Sequence, residues 1–323
     1  MSSLYVDRSG VELELESEAI VFREAGQRVG TIPIAPLTRV FLRGNVRLPA
    51  ALLGKLGEAG VGVVVLSGRK GRPSLLLARP HNDASRRMAQ LQRSQDRDFC
   101  IDFARSLVAR KVRRQVEWFD DLRARDAQHR YELTLAMEEL RGHLAGIERR
   151  DSLASLRGAE GAAAARYFAG LKVVVPSSLH FSCRNRRPPR DPFNALLSLT
   201  YTMAHAEIVI ALHGAGFDPF VGFYHGIEFG RESLASDLLE PLRPMADVFV
   251  LRLFRAQEIR AEDFSTTESG CHLGKAGRVR YYSAYEAFSE QLRAAINAEM
   301  ERLSERVGQP ALKKIEMADE VEH

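Results

Sequence analysis

Val11, Leu13 and Leu15 alternate with Glu12, Glu14 and Glu16. A period of two puts every apolar side chain on one face, so this stretch predicts a half-buried strand. Short apolar runs follow at 19–22, 40–42, 61–66 and 75–77, punctuated by Gly10, Gly26, Gly30, Gly44 and Gly71. A short helix interrupts them between Pro49 and Gly60. Proline suits a first helical position, Leu52, Leu53 and Leu56 share a face, and glycine suits the position past the end.

The pattern changes near residues 79–83, where Asn82 or Asp83 can cap a following helix. Ile101, Ala104, Val108, Val112, Val116 and Phe119 then recur every three or four residues and form one apolar stripe. Helices are expected over about 83–125, 129–148, 160–171, 192–214, 232–239, 244–256 and 283–306. The fold class is therefore α+β: a small N-terminal β-rich domain over 1–80, then a larger all-α domain over 81–307. Residues 308–323 are polar, rich in lysine and glutamate, and expected to be a flexible tail. No internal repeat or low-complexity tract is present.

Composition narrows the function classes. With 323 residues, 45% of them hydrophobic, the chain can build two cores. No run approaches the roughly 20 apolar residues of a membrane helix, and the N-terminus has no apolar signal core. Cys100, Cys183 and Cys271 are odd in number and far apart, which fits reduced thiols in a cytoplasmic protein. The net charge is only +4. Residues 1–80 hold 11 basic against 7 acidic side chains, and residues 81–323 hold 35 of each. A nucleic-acid surface on the larger part must come from local clustering.

Candidate chemistry sits in short stretches. Glu160 precedes a turn that is nearly all alanine, where another helix or a nucleic-acid backbone can come close; a carboxylate early in a helix also complements the macrodipole. His225 ends G-F-D-P-F-V-G-F-Y-H, with aromatic residues able to wall a dry pocket, a setting that equally suits a hydrogen-bonded core histidine. Asp237 and Glu240 are three apart and share a helical face. They repel one another unless a cation lies between them; Glu240 has the longer reach, and Asp237 is either a direct ligand or a supporting group. Two carboxylates and an imidazole suit Mg²⁺ or Mn²⁺.

Arg184, Arg186, Arg187 and Arg190 lie in an acid-free R-N-R-R-P-P-R, a candidate phosphate clamp or a solvated loop. Lys275, Arg278 and Arg280 precede Tyr281 and Tyr282, a mix that suits single-stranded DNA or a surface hairpin. Arg110, Lys111, Arg113 and Arg114 read as an exposed face of the long helix. No H-E-x-x-H, phosphate-binding loop or G-x-S-x-G elbow occurs, so zincin, nucleotide-driven and serine-hydrolase chemistry have no support.

Four stretches resemble CRISPR-associated protein 1, the integrase of CRISPR spacer acquisition: R-G-A-E-G-A-A-A-A-R-Y-F (157–168), R-N-R-R-P-P-R-D-P-F-N-A-L-L-S (184–198), G-F-D-P-F-V-G-F-Y-H (216–225) and R-E-S-L-A-S-D-L-L-E-P-L-R-P (231–244). Their order and spacing match as well. Tyr224, Leu239 and Leu242 depart from the residues usual there. The resemblance implies metal ligands at Glu160, His225 and Glu240, with Asp237 adjacent. It implies a homodimer through the β-rich domains and assembly with CRISPR-associated protein 2. The implied reaction is transesterification: a 3′-hydroxyl of a short captured DNA, the prespacer, attacks a phosphodiester at the CRISPR repeat. Two alternatives remain at this level, a metal-dependent endonuclease on branched or repair DNA and a non-catalytic DNA-binding scaffold.

Overall fold

The computed structural model describes residues 2–66, 73–77, 84–185, 188–226 and 228–308. The N-terminal unit consists of β1 (Ser2–Asp7), β2 (Val11–Glu16), β3 (Ala19–Glu24), β4 (Gln27–Pro33), β5 (Leu37–Arg43), β6 (Val46–Arg47), α1 (Ala50–Glu58), β7 (Gly62–Val65) and β8 (Ser74–Leu76). The alternation in β2 works as expected. Val11 and Leu13 are buried, while Glu14 and Glu16 lie outside and pair with Arg23 of β3 at 2.6 and 3.1 Å.

These strands form two sheets, ordered β1-β5-β7-β8 and β4-β3-β2-β6. β1, β5 and β7 run parallel, which requires crossovers: β2–β4 lie in the first, between β1 and β5, and α1 in the second, between β5 and β7. Leu52 and Leu56 of α1 pack into the core that holds Val6, Leu13, Ile20, Val40 and Val63 of both sheets. Pro49 stands at the N-cap, one place before its expected position, and Gly60 takes φ +73° past the helix end.

The rest is mainly helical: α2 (Ser85–Gln95), α3 (Arg97–Arg125), α4 (Arg130–Ile147), α5 (Leu153–Val174), α6 (Pro192–Gly214), α7 (Ser233–Leu239) and α8 (Arg243–Arg255), a hairpin of β9 (Phe264–Thr267) and β10 (Gly270–Leu273), and α9 (Lys275–Val307). The architecture is α+β, a strand-rich region followed by a helical one. The helical part is not wholly α, because the β9–β10 hairpin interrupts it.

Three boundaries differ from the periodicity reading. The expected helix 83–125 divides at Asp96, whose extended backbone lets its carboxylate cap α3 through the Phe99 N–H at 3.0 Å. α5 begins at Leu153, because Ser152 caps it; Glu160 therefore lies about two turns inside the helix and not at its start. α9 begins at Lys275, directly after the hairpin. The termini proposed for the tail, past Gly308, and the Asn82/Asp83 cap lie outside the described residues.

α6 corrects the membrane reading of the sequence. Its 23 residues are long and apolar enough to cross a bilayer, and an 18-residue stretch of them has a mean hydropathy of 1.5. In the fold it is a core helix: 67% of that stretch is buried inside the protein, with Asn194, Thr200 and Glu207 among the buried residues.

The two regions meet in a dense junction. Tyr5 of β1 stacks between Phe41 (4.9 Å) and Tyr282 of α9 (5.0 Å). Arg39 of β5 reaches the buried Glu207 of α6 at 3.0 Å, with Arg293 of α9 at 3.7 Å. Asp7 binds Arg278, and Glu286 accepts from the Ser3 N–H and the Tyr5 hydroxyl. At its other end α9 carries Glu299, buried among Arg110 (2.8 Å) and Arg114 (3.3 Å) of α3. Buried ion pairs cost heavily when one member is removed. Arg39→Met is therefore expected to lower the unfolding free energy by about 3 kcal/mol, measured by urea denaturation, whereas adding Glu207→Leu to it recovers part of the loss; a neutral Arg39→Met would show that Arg293 alone satisfies Glu207.

Candidate active site

The loop 222–226 folds over the N-terminal part of α7 because one carboxylate organises it. Asp237, with no exposed surface, accepts from the backbone N–H of Phe223 (2.8 Å), Tyr224 (3.0 Å) and His225 (2.9 Å). Its Oδ1 also meets His225 Nδ1 at 2.6 Å. Ser233 donates to the Gly226 carbonyl at 2.7 Å and closes the loop from below. A side chain at Gly222 would put its Cβ 2.9 Å from Asp237 Oδ2, so only glycine lets the backbone come this close. The result is a histidine whose Nδ1 is engaged by Asp237, which leaves Nε2 for other chemistry.

Glu160 comes from α5 and Glu240 from the 3₁₀ turn that joins α7 to α8. Between them stands Lys111 of α3. Its Nζ lies 2.5 Å from Glu160 Oε1 and 2.6 Å from Glu240 Oε2. The other oxygens are engaged too: the Tyr224 hydroxyl donates to Glu160 Oε2 at 2.5 Å and Arg243 Nε donates to Glu240 Oε1 at 3.0 Å. Burial pushes the Glu240 carboxyl up, but Arg243 and Lys111 outweigh it and hold Glu240 well below the usual carboxylate range. Burial likewise opposes the Lys111 ammonium, yet Glu240 and Glu160 hold its pKa above the ordinary lysine value. Burial and the Glu160 carboxylate push the Tyr224 hydroxyl up, so it stays a proton donor.

A second layer supports the first. The Arg243 guanidinium lies 4.6 Å from the Tyr201 ring centre, and Arg184 lies 5.5 Å from the same ring. The Tyr201 hydroxyl donates to Asp247, as does Tyr167 at 2.8 Å. Burial pushes the Asp247 carboxyl up to about 6, against the pull of the two tyrosines and Arg243. Arg114 donates to the Pro241 carbonyl at 2.5 Å and so fixes the residue after Glu240.

The residues singled out from the sequence fall into separate groups. Glu160 and Glu240 converge on one position, filled by the Lys111 ammonium. His225 lies close enough to Glu240 to affect its charge and stacks beside Tyr224, with ring centres 5.0 Å apart. Among the described residues, no three histidine, cysteine, aspartate or glutamate side chains converge as a ready-made metal cage. Asp237 faces inward, with both oxygens occupied. Arg184 bonds Asn194 Oδ1 (2.7 Å) and Ser198 Oγ (3.2 Å) and shapes its own loop. Arg186 and Arg187 lie outside the described residues; Arg190 and Lys275 are exposed, and Arg278 is committed to Asp7.

Lys111 was missed, since the basic run 110–114 reads as an exposed face. It is only 7% exposed. Its signal was its place one turn after Leu107 and Val108 and one turn before Gln115, all buried, on the apolar stripe of α3. The donor set itself fits a hard dication: two carboxylates drawn to one cationic point and an oriented imidazole at its edge.

Comparison with known proteins places this arrangement in a family. The profile of CRISPR associated protein Cas1 matches residues 4–287. The "CRISPR-associated endonuclease Cas1 1" of Thermodesulfovibrio yellowstonii is 37% identical over 310 residues, covering 95% of this chain and 97% of the relative. A Cas1 protein from Thermotoga maritima has a similar fold, with a TM-score of 0.81 at 23% identity over 95% of this chain and 98% of that one. A casposase bound to its integration product follows, with a TM-score of 0.77 at 20% identity over 89% of this chain and 82% of that one. A family profile spanning nearly the whole chain and a relative aligned end to end settle the assignment: the chain belongs to the Cas1 family of CRISPR-associated proteins.

Proposed function

We propose that this chain is a metal-dependent DNA integrase of CRISPR adaptation, acting by phosphodiester transesterification in the cytoplasm. The observation that carries the reading is the convergence of Glu160 and Glu240 on a single cationic position, beside a histidine oriented by a buried aspartate. The family assignment supports it, as do the endonuclease name of the curated relative and the shared fold with a casposase bound to integration product.

Glu160, His225 and Glu240 are the side chains that would hold Mg²⁺ or Mn²⁺. Bound there, the ion would supply Lewis-acid charge to a phosphate. The protein's own contribution is orientation. Asp237 fixes the imidazole through Nδ1, which would leave Nε2 as the ligand atom. Tyr224 and Arg243 hold the outer oxygens of the two glutamates. In the reaction a 3′-hydroxyl oxygen forms a bond to phosphorus while the bond to the departing 3′-oxygen breaks. One phosphodiester replaces another, so no nucleotide is consumed, in keeping with the missing phosphate-binding loop.

The substrates are double-stranded and branched DNA, prespacer and CRISPR repeat, held by arginines that position backbone without reading sequence. The protein acts as a homodimer joined through the β-rich region, together with CRISPR-associated protein 2. The dimer reading gains support from β4, an edge strand that exposes Val29. Hydrolysis of branched DNA uses the same site with water as the nucleophile. Strand-transfer assays in Mn²⁺ with the partner protein separate the two, since joined strands mean integration and free ends mean hydrolysis.

Glu160→Ala, His225→Ala and Glu240→Ala should each stay folded and bind branched DNA, yet fail to join or resolve strands. Their losses should not add, because the site fails as a unit. EDTA should mimic them; near-normal joining by His225→Ala would place the chemistry elsewhere.

Asp237→Ala behaves differently. It strands three backbone N–H groups, two of them buried, and the His225 ring, so it should also lower the unfolding free energy by about 3 kcal/mol. Calorimetry that finds its Tm unchanged contradicts this role.

Arg186→Ala with Arg187→Ala should weaken DNA binding and flatten its salt dependence by about one log unit of slope per lost phosphate contact. A binding series from low to high salt with an unaltered slope rules the contacts out.

A further inference from the structure

Each oxygen of the two glutamates already has a partner. Glu160 gives one to Lys111 and one to Tyr224; Glu240 gives one to Arg243 and one to Lys111. A cation entering between the carboxylates must therefore displace something. Among the described residues Lys111 alone bonds both glutamates. Tyr224 and Arg243 each grip a single outer oxygen, and Arg243 is further braced on the Tyr201 ring.

Lys111 is also the partner best able to leave. Its ammonium sits on a flexible four-carbon stem, so Nζ can withdraw without any shift of the α3 backbone. Charge accounting agrees. Two carboxylates facing one another, Glu240 buried and Glu160 partly so, need positive charge to stay together. Lys111 and Arg243 already balance the two carboxylates, so a dication that entered without displacing either would leave the cluster with an excess of positive charge. With the dication in place, a nearby ammonium becomes a like charge.

We propose that Lys111 is the resident counter-ion of this site: its ammonium holds Glu160 and Glu240 together before metal arrives, and must be displaced for a divalent cation to enter. Lys111 is thus a positioning residue that sets the threshold for metal loading. It keeps the two ligands at bonding separation, and it competes with the ion for the same two oxygens. The inference rests on the reading of Glu160, His225 and Glu240 as ligands.

The test is Mn²⁺ binding to the intact protein by isothermal titration calorimetry, with Tm followed in parallel. Lys111→Met should bind Mn²⁺ about tenfold or more tightly than the wild type, since competition and like-charge repulsion are both gone. Its metal-free Tm should fall, and Mn²⁺ should raise that Tm by more than it raises the wild type's. A purely structural role lowers Tm but does not tighten Mn²⁺; equal or weaker binding overturns the proposal. If Lys111→Met does not fold, Lys111→Gln is read in the same way. A crystal of the wild type with Mn²⁺ gives an independent answer. Nζ withdrawn from at least one glutamate supports displacement, and Nζ still bridging both beside a bound ion overturns it. Glu160→Gln and Glu240→Gln separate this inference from the ligand reading. If both bind Mn²⁺ as well as the wild type does, the ligand assignment itself has failed. If both lose binding while Lys111→Met is unchanged, only the lysine inference has.

Discussion

A buried ammonium between two carboxylates joins three parts of the chain at one point. α3 supplies Lys111, α5 supplies Glu160 and the turn after α7 supplies Glu240. Apolar packing between helices tolerates sliding and rotation, because dispersion contacts are many and weak. A charge removed from water tolerates neither, since it must find its opposite or pay the desolvation penalty in full. Lys111 thus fixes the register of these elements, and the layers outside it follow: Tyr224 and Arg243 on the outer oxygens, then Tyr201, Asp247 and Tyr167 behind Arg243.

Beside it, Asp237 does for a loop what Lys111 does for helices. The segment 222–226 has no regular structure to satisfy its N–H groups. One side chain takes three of them and the imidazole as well. The aspartate cannot then turn outward to a ligand without undoing the loop that carries His225. The two acids thus have different partners in this structure: Asp237 is engaged by the loop, whereas Glu240 meets the Lys111 ammonium and Arg243.

Much of the fold was legible because its signals are local. α6 runs over 192–214 as read, with Asp191 capping it through the Asn194 N–H and Pro192 in the first turn. The alternation of β2 announced its buried face. Errors arose where a local signal was ambiguous. Asp96 lies inside a continuous apolar stripe and still divides it, because its side chain competes for the next helix's N–H groups. Ser152 was overlooked, so α5 seemed to start near Glu160. Lys111 and its partners are 49 and 129 residues apart in sequence, and no periodicity encodes who meets whom at that range. The candidate residues came from their motifs; their division of labour came only from distances.

α9 links the strand-rich region to the neighbourhood of Glu240. Its first turns hold Asp7 through Arg278 and Tyr5 through Glu286, and its far end holds Glu299 against Arg114, which in turn grips the Pro241 carbonyl beside Glu240. Thirty-three residues of unbroken helix span about 50 Å. A rod of that length is a mechanical lever: a tilt of about one degree at Arg278 moves Glu299, about 32 Å along the helix, by roughly 0.5 Å. Ligand geometry at a metal is sensitive to displacements of that size. How the strand-rich region seats against its surroundings is therefore felt, in attenuated form, at the carboxylate of Glu240, and an alteration made far from any catalytic group can still detune the centre.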